Sequence, residues 1–455
     1  MLGAVAVSAL LGLVSLSVGI ADSVRAFKTV GSDSAPTIND ALSIYFAVSD
    51  MDAAAADYLL LSGSSSVGLS ALQVLNRYEQ RRQAASDLLV SAAHNPASDA
   101  GERTSILRML VMIQIFDAYV EQAEVLNDRG DRAAALAAYG QATDLIHAPQ
   151  SGLLETALGL AGSLHAHLTT SYDAAGSEER RDLSLIVISL LLLIVALLGL
   201  QVVLARWTHR LLSLAVLGAT TLAVVLLVAA ASTLGSNDNH LAVAKNDGYD
   251  SIYALRQLRA IAFDAKADES RYLIDPPRAQ FYEESFLDKS VELASFRQRV
   301  TISTYDSALG AQLIAMDSGR TPQIGGAFGR ALSRVVFPGE ARAARAALSA
   351  YAKFERDDRT LRADAASGNV TEAIRFDTST AEGDSDGDFN VLDNALGAWI
   401  QVHQHAFDEA ITAGTGNLNG WQLYQWLAPL LIVILTWLGL RPRLREYTTG
   451  GDPTA

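Results

Sequence analysis

Two histidine pairs are the first residues to weigh as chemistry. His165 and His167 stand two apart, as do His403 and His405. Imidazole binds metals and titrates near neutrality, so such a pair could chelate or sense protons. On a helix, positions two apart diverge by about 200°, whereas chelation needs a spacing of three or four. The pattern predicts one packed and one exposed histidine per pair, with His165 and His403 as candidate ligand or partner residues. Asp384-Ser-Asp386-Gly-Asp388-Phe-Asn390 hints at a calcium loop. An EF-hand needs Gly sixth and Glu twelfth, where this chain has Phe389 and Ala395, so a solvated acidic helix-start loop is expected. Asp50 and Tyr58, with Asp264 and Tyr272, fall where helices would place apolar residues. They read as buried hydrogen-bonding groups that set helix register, or as part of a ligand or partner face.

Catalytic signatures are missing from the sequence. It has no cysteine, no G-x-S-x-G, no P-loop and no H-E-x-x-H. The expectation is a protein that is not an enzyme, with no cofactor and no metal. With a net charge of −15, it is no candidate for nucleic-acid binding.

The elements that must position these residues begin with a membrane hairpin. Leu183–Leu204 and Leu211–Leu234 are uncharged apolar runs separated by residues 205–210. About 20 apolar helical residues cross a bilayer core, so each run can span it. Residues 1–21 and 424–440 supply two more spans. The first could serve instead as a signal peptide, although it has no basic residue ahead of its apolar run. The spans separate two large loops, 22–182 with net charge −10 and 237–423 with net charge −8. The short connections are basic, with Arg206 and Arg210 at the tip and Arg441, Arg443 and Arg445 in the tail 441–455. The positive-inside rule then puts tip and tail in the cytoplasm and both loops outside a plasma membrane. These five arginines are the candidate cytoplasmic contacts.

The loops repeat one another. Ala157-Leu-Gly and His165-x-His167 recur as Ala395-Leu-Gly and His403-x-His405, at an offset of 238. The same offset carries Phe116 onto Phe354, Gly130-Asp131 onto Gly368-Asn369, and Ala135-Leu136 onto Ala373-Ile374. Earlier, Asp50 and Tyr58-Leu59 match Asp264 and Tyr272-Leu273 at an offset of 214, so the second copy carries about 24 extra residues, assigned to the Gly-rich stretch 309–339. Apolar residues at spacings of three and four, Ile38, Leu42, Tyr45, Val48, Ala55 and Leu59 among them, predict long amphipathic helices. The second loop reads as helices over 249–274, 277–302, 340–366, 370–378 and 388–413. The fold expected is an all-α membrane protein with four transmembrane helices and two tandem extracytoplasmic up-down bundles. Pro36, Gly235, Gly414, Gly416 and Gly420 should interrupt most helix-to-span junctions, leaving the second span, after Gly176, as the continuous lever.

This layout, the ADY-LL and RYE segments at 56–60 and 77–79, and the ending Gly-Leu-Arg-Pro-Arg-Leu-Arg-Glu-Tyr resemble GlnX-type actinobacterial membrane proteins. The resemblance spans essentially the whole chain and rests on architecture more than on a signature motif. It implies sensing of external amino acids through a periplasmic solute-binding lipoprotein, with relay to a cytoplasmic Ser/Thr protein kinase or other effector. A homodimer is compatible with the layout. The alternatives are a direct small-molecule receptor, or an accessory or scaffold subunit of a transporter complex.

Overall fold

The computed structural model describes residues 2–62, 68–93, 100–208 and 213–448. Arg210 lies outside them, and the side chains of Arg443 and Arg445 also fall outside the description. Every regular element among the described residues is helical. In chain order they are α1 (Leu2–Lys28), α2 (Ala35–Ser62), α3 (Gly68–Ala93), α4 (Ala100–Asp128), α5 (Arg132–His147), α6 (Leu153–Thr208), α7 (Leu214–Ala242) and α8 (Asp250–Ile274). They continue with α9 (Ala279–Leu293), α10 (Ile302–Asp317), α11 (Gly326–Leu332), α12 (Glu340–Ala366), α13 (Val370–Thr378), α14 (Ser385–Asn417) and α15 (Trp421–Thr448). Four stretches are long and apolar enough to cross a membrane: Gly3–Ser62, Leu153–Arg206, Leu214–Ile274 and Ser385–Arg441. The chain is thus an all-α protein with four candidate spans.

It divides into two compact units. One, the span unit, comprises residues 1–32, 168–245 and 408–455; the other, the loop unit, comprises 33–167 and 246–407. The second grouping changes the domain picture. Two separate bundles over 22–182 and 237–423 were expected, yet residues 33–167 and 246–407 of the two loops group into one compact body. The physical reason is on α2, which is buried nearly all round. Ile38, Leu42, Val48 and Leu59 are each 2% exposed or less, as are Ala53 to Ala56. Small alanines let α3 and α8 approach the same helix from different sides. Either loop alone would expose the α2 face that packs on α8.

The repeat is visible in the backbone. Gly130 and Gly368, one offset of 238 apart, turn the chain at φ +79° and +88°, where a side chain would be strained. Asp131 then caps α5 by accepting from the Ala134 amide at 3.2 Å. Phe116 and Phe354 are both fully buried, as are Ala135 and Ala373. A π-helical segment, Thr29–Ser34, joins α1 to α2, and another, Val243–Tyr249, joins α7 to α8. Their starts differ by 214, the offset of the first repeat block. The insertion of the second copy holds α10 and α11, helices that its Gly-rich composition concealed. The helix expected over 277–302 ends at Leu293, where Ala294 turns to an extended conformation. α10 then starts at a capping box made by Thr301 and Thr304.

Within the span unit, α1 packs on α6 through small residues. A Cβ on Gly12 would sit 3.2 Å from Leu190, and one on Gly19 only 2.9 Å from Ile186. Ser15 and Ser189 share a hydrogen bond of 2.9 Å at the same seam. Asn237 donates to Ser23 at 3.2 Å, and Asn417 donates to Asn237 at 3.3 Å. The expected interruptions are fewer than the glycines suggested. Gly235 lies inside α7, Gly414 and Gly416 lie inside α14, and only Gly420, at φ +86°, marks a turn. Pro36 is the second residue of α2, a position where its missing N–H costs nothing.

Because the loops complete one body, the protein cut at the hairpin tip should assemble from its halves. Co-expressed residues 1–208 and 213–455 are expected to co-purify in mild detergent and to melt together. A cooperative melt of residues 33–167 expressed alone would contradict this.

Candidate functional site

The contact of α2 with α8 is where charge is buried. On α2, Asp50, Asp52 and Asp57 are 2% exposed or less, and on α8 Lys266, Asp268, Glu269, Ser270 and Arg271 are buried to the same degree. In the repeat register Asp52 corresponds to Lys266 and Asp57 to Arg271, both at an offset of 214. The structure relates them crosswise, by a direct ion pair in one case and by charge without direct contact in the other. Arg271 Nη2 bonds Asp52 Oδ2. The Lys266 ammonium in turn acts on Asp57. The first copy contributes carboxylates at both positions and the second contributes bases.

Around each centre the same repeat positions close in. Tyr139 donates to Asp52 Oδ1 at 3.0 Å, and His147 Nε2 lies 3.2 Å from Asp52 Oδ2. Adding 238 to each number gives Asp377 and Ser385. Lys266 Nζ donates to both, at 2.5 Å to Asp377 Oδ1 and 3.1 Å to Ser385 Oγ. One geometry is therefore filled twice, with acid at its centre in one half and base in the other.

The Arg271 half contains three carboxylates. Arg271 Nη1 donates to Asp268 Oδ1 at 2.5 Å, and Asp264 Oδ1 is 3.5 Å from Nη2. Lys289 adds a second cation, 2.6 Å from Asp268 and 3.0 Å from Asp264. Burial alone would raise the Asp52 carboxyl, but Arg271 and His147 more than offset it and hold it below the ordinary value of 3.8. Asp264 is depressed likewise; burial opposes, and Lys289, His147 and Arg271 prevail. Arg271 is held well above its ordinary range, since Asp52 and Asp268 outweigh the burial that would lower it.

The Lys266 half carries more acid than base. Besides Asp377 and Ser385, Lys266 reaches Glu269 Oε2 at 2.9 Å and Asp386 Oδ1 at 3.3 Å. Burial would lower this lysine, but Asp377, Glu269, Asp386 and Asp57 push it well above 10.5. Glu269 moves up, chiefly by burial, with Lys266 opposing and Asp358 and Asp377 adding repulsion.

The candidate residues from sequence divide around this network. Asp50 is fully buried and bound by Arg77 at 2.5 Å and by Arg81, both on α3. Asp264 takes its base from α9, the helix that likewise follows its own. The tyrosines lie elsewhere. Tyr58 is half-buried beside Asp128 and Glu124, and with burial these raise its hydroxyl. Tyr272 sits under the Arg362 guanidinium, 4.4 Å from its ring centre. His165 stacks on Tyr253 at 4.3 Å and is 3.7 Å from Asp250, while His167 is exposed. His403 is buried, with Nε2 2.8 Å from Glu340 and Nδ1 3.0 Å from the Asp247 carbonyl in the second π segment; His405 is exposed. The packed and exposed pattern expected of each pair is therefore found. The acidic run at 384–390 is not solvated: Asp386 and Asp388 are buried, and Lys353 bonds Asp388 at 2.6 Å. Among the described residues no three His, Cys, Asp or Glu converge to hold a metal. Arg206 is exposed, and the Arg441 guanidinium lies 5.1 Å from the Trp437 ring centre.

Sequence reasoning missed Asp52, Asp57, Lys266, Arg271 and Asp377. Its own two offsets connect them, but composition does not distinguish a buried charge from a solvated one. Residues 26–173 match a family model described as an actinobacterial sensor domain. That segment is the first copy of the repeat, and it holds Asp50, Asp52, Asp57, Tyr139 and His147. The match supports a sensing role. No curated protein and no solved structure matches the chain.

Breaking a buried ion pair leaves an uncompensated charge, at a cost of roughly 3–5 kcal/mol. Arg271→Met should lower unfolding stability by about that amount, and adding Asp52→Asn should recover part of it. Because Asp52 and Asp264 lie below 3.8 in the fold, their stabilisation is complete above that value and fades as pH falls through it. Melting temperature measured along an acid titration should therefore drop below about pH 4, and Arg271→Met should blunt the drop.

Proposed function

We propose that this protein is a non-enzymatic transmembrane sensor and relay. Its two loops face outward and receive an amino-acid signal carried by a solute-binding lipoprotein. Its tip and tail face the cytoplasm, where Arg206, Arg210, Arg441, Arg443 and Arg445 meet an effector such as a Ser/Thr protein kinase. The observation that carries the reading is the connection of the charged core helices to the spans. α2 follows α1 after six π-helical residues and α8 follows α7 after seven. π segments are uncommon and cluster at functional positions in helices. A change in α2–α8 packing is thus covalently adjacent to two of the four candidate spans. Coupling of 1–3 kcal/mol is enough for useful signalling. The sensor-domain match over 26–173 supports the same reading.

The loop unit offers a surface to a protein partner. On α4, Leu107, Val111, Ile115 and Val125 form an exposed apolar row, each 41% exposed or more. Its C-terminal end is acidic, with exposed Glu121 and Asp128, and we assign this row to the binding protein.

Photo-crosslinkers at Ile115 and Arg441 in cells should capture a solute-binding lipoprotein outside and a kinase or comparable effector inside. Leu107→Glu with Val111→Glu should abolish the outer capture and leave the melting temperature unchanged. Capture of the protein's own chain alone, at both positions, would sink the relay and favour direct sensing or scaffolding.

A further inference from the structure

The acid excess around Lys266 has a hydrogen-bonding consequence. Ser270 Oγ lies 2.5 Å from Asp57 Oδ1 and 2.9 Å from Asp377 Oδ2. A hydroxyl has one proton to donate, so it cannot satisfy two ionised carboxylates. One of the contacts must be supplied from the carboxyl side. Asp377 is the worse carrier, because its other oxygen already accepts from the Lys266 ammonium at 2.5 Å. Asp57 has no such direct bond. The satisfied arrangement runs in one direction: the Asp57 carboxylic acid donates to Ser270, Ser270 donates to Asp377, and Asp377 also accepts from Lys266.

We propose that Asp57 is a proton-binding site, occupied in the resting fold, whose deprotonation loosens the packing of α2 against α8 and α13 and so makes the protein responsive to alkalinisation.

The groups facing Asp57 support the assignment from every side. α8 supplies Lys266, Glu269 and Ser270. α13 supplies Asp377, and α14 supplies Asp386 beside Ser385. α3 supplies Arg77, bound to Asp50 at 2.5 Å and 3.9 Å from Asp386. On α12, Asp358 adds negative charge near Glu269. Four carboxylates, Asp57, Glu269, Asp377 and Asp386, therefore surround one ammonium, while Arg77 is shared with Asp50. Burial, then Asp386 and Asp377, push Asp57 up to about 8, against the pull of Lys266 and Ser270. Loss of its proton would leave Ser270 facing two anions in a buried site. The strain falls on the contact between the first copy, which holds Asp57, and the second, which holds Lys266, Ser270, Asp377 and Asp386.

Asp57 binds its proton more tightly folded than unfolded. Between 3.8 and about 8 the folded state therefore holds more protons, and stability declines as pH rises across that window. Above it the decline stops. The test uses the full chain in lipid nanodiscs and reads protonation itself, so it stands whether or not the relay proposed above is correct. Infrared difference spectra should show a buried carboxylic-acid carbonyl band that titrates near pH 8 in the wild type and is absent in Asp57→Asn. The melting temperature of Asp57→Asn relative to wild type should climb with pH through the window and level off above about 8. Asp377→Asn, which removes the main counter-ion of Lys266, should be destabilised at every pH. The proposal is overturned if the wild type shows no titrating band, or if the band survives in Asp57→Asn. It also fails if Asp57→Asn is destabilised at every pH as Asp377→Asn is.

Discussion

Arg271 against Asp52, and Lys266 with Ser270 against Asp57, form the constraint on which the loop unit depends. Both sets cross the α2–α8 contact, and both are withdrawn from water. Charges this deeply buried are tolerated only when paired and hydrogen-bonded, so neither copy can keep them alone. The surrounding helices supply what each centre lacks: Tyr139 and His147 for Asp52, Asp377 and Ser385 for Lys266, Lys289 for Asp264 and Asp268. In an isologous interface each partner makes the other's contacts in exchange. Here one chain reproduces that relation through its own duplication, with the signs of charge made complementary. Such a duplicated chain packs with itself and resists pairing two first copies, which would set carboxylate against carboxylate.

That arrangement gives the unit properties suited to a two-state element. A buried polar network tolerates few registers, since a small slide of α2 on α8 leaves several groups unsatisfied at once. Its two halves also respond oppositely to acid. The Arg271 half holds Asp52 and Asp264 ionised, and on the proposal above the Lys266 half holds Asp57 protonated. The π segments lie at matching places in the two copies, just before the helices that carry the network. His403 ties the second of them to Glu340, which also accepts from Trp399 at 3.2 Å. A histidine that could have been a metal ligand is thus a fastening for one irregular backbone segment.

The most conspicuous chemical patterns in the chain take part in packing. The His-x-His pairs divide into inner and outer residues as helical geometry requires. The acidic run at 384–390 is absorbed by Lys266 and Lys353 and contributes to the buried network. Asp50 and Asp264 are buried in ion pairs with bases from α3 and α9. No nucleophile activated by a neighbouring base is found among the described residues of the network. Its contacts are ion pairs and hydrogen bonds.

The sequence by itself determined the helical class, the four apolar stretches, the duplication with its two offsets, and the turns at Gly130 and Gly368. These are local properties, fixed by periodicity, by uncharged length and by a backbone angle only glycine adopts freely. It also determined which histidine spacing could not chelate. Only the tertiary structure decided that the loops form one body, that Gly235 does not break α7, and that α10 and α11 fill the insertion. The site too was a tertiary matter. Asp52, Asp57, Lys266 and Arg271 have the composition of an ordinary solvated helix face, and a net charge counts them the same wherever they lie. Burial turns them into a mutually dependent set, and burial follows from the packing of α2 on α8 across some two hundred residues of chain, which no local pattern encodes.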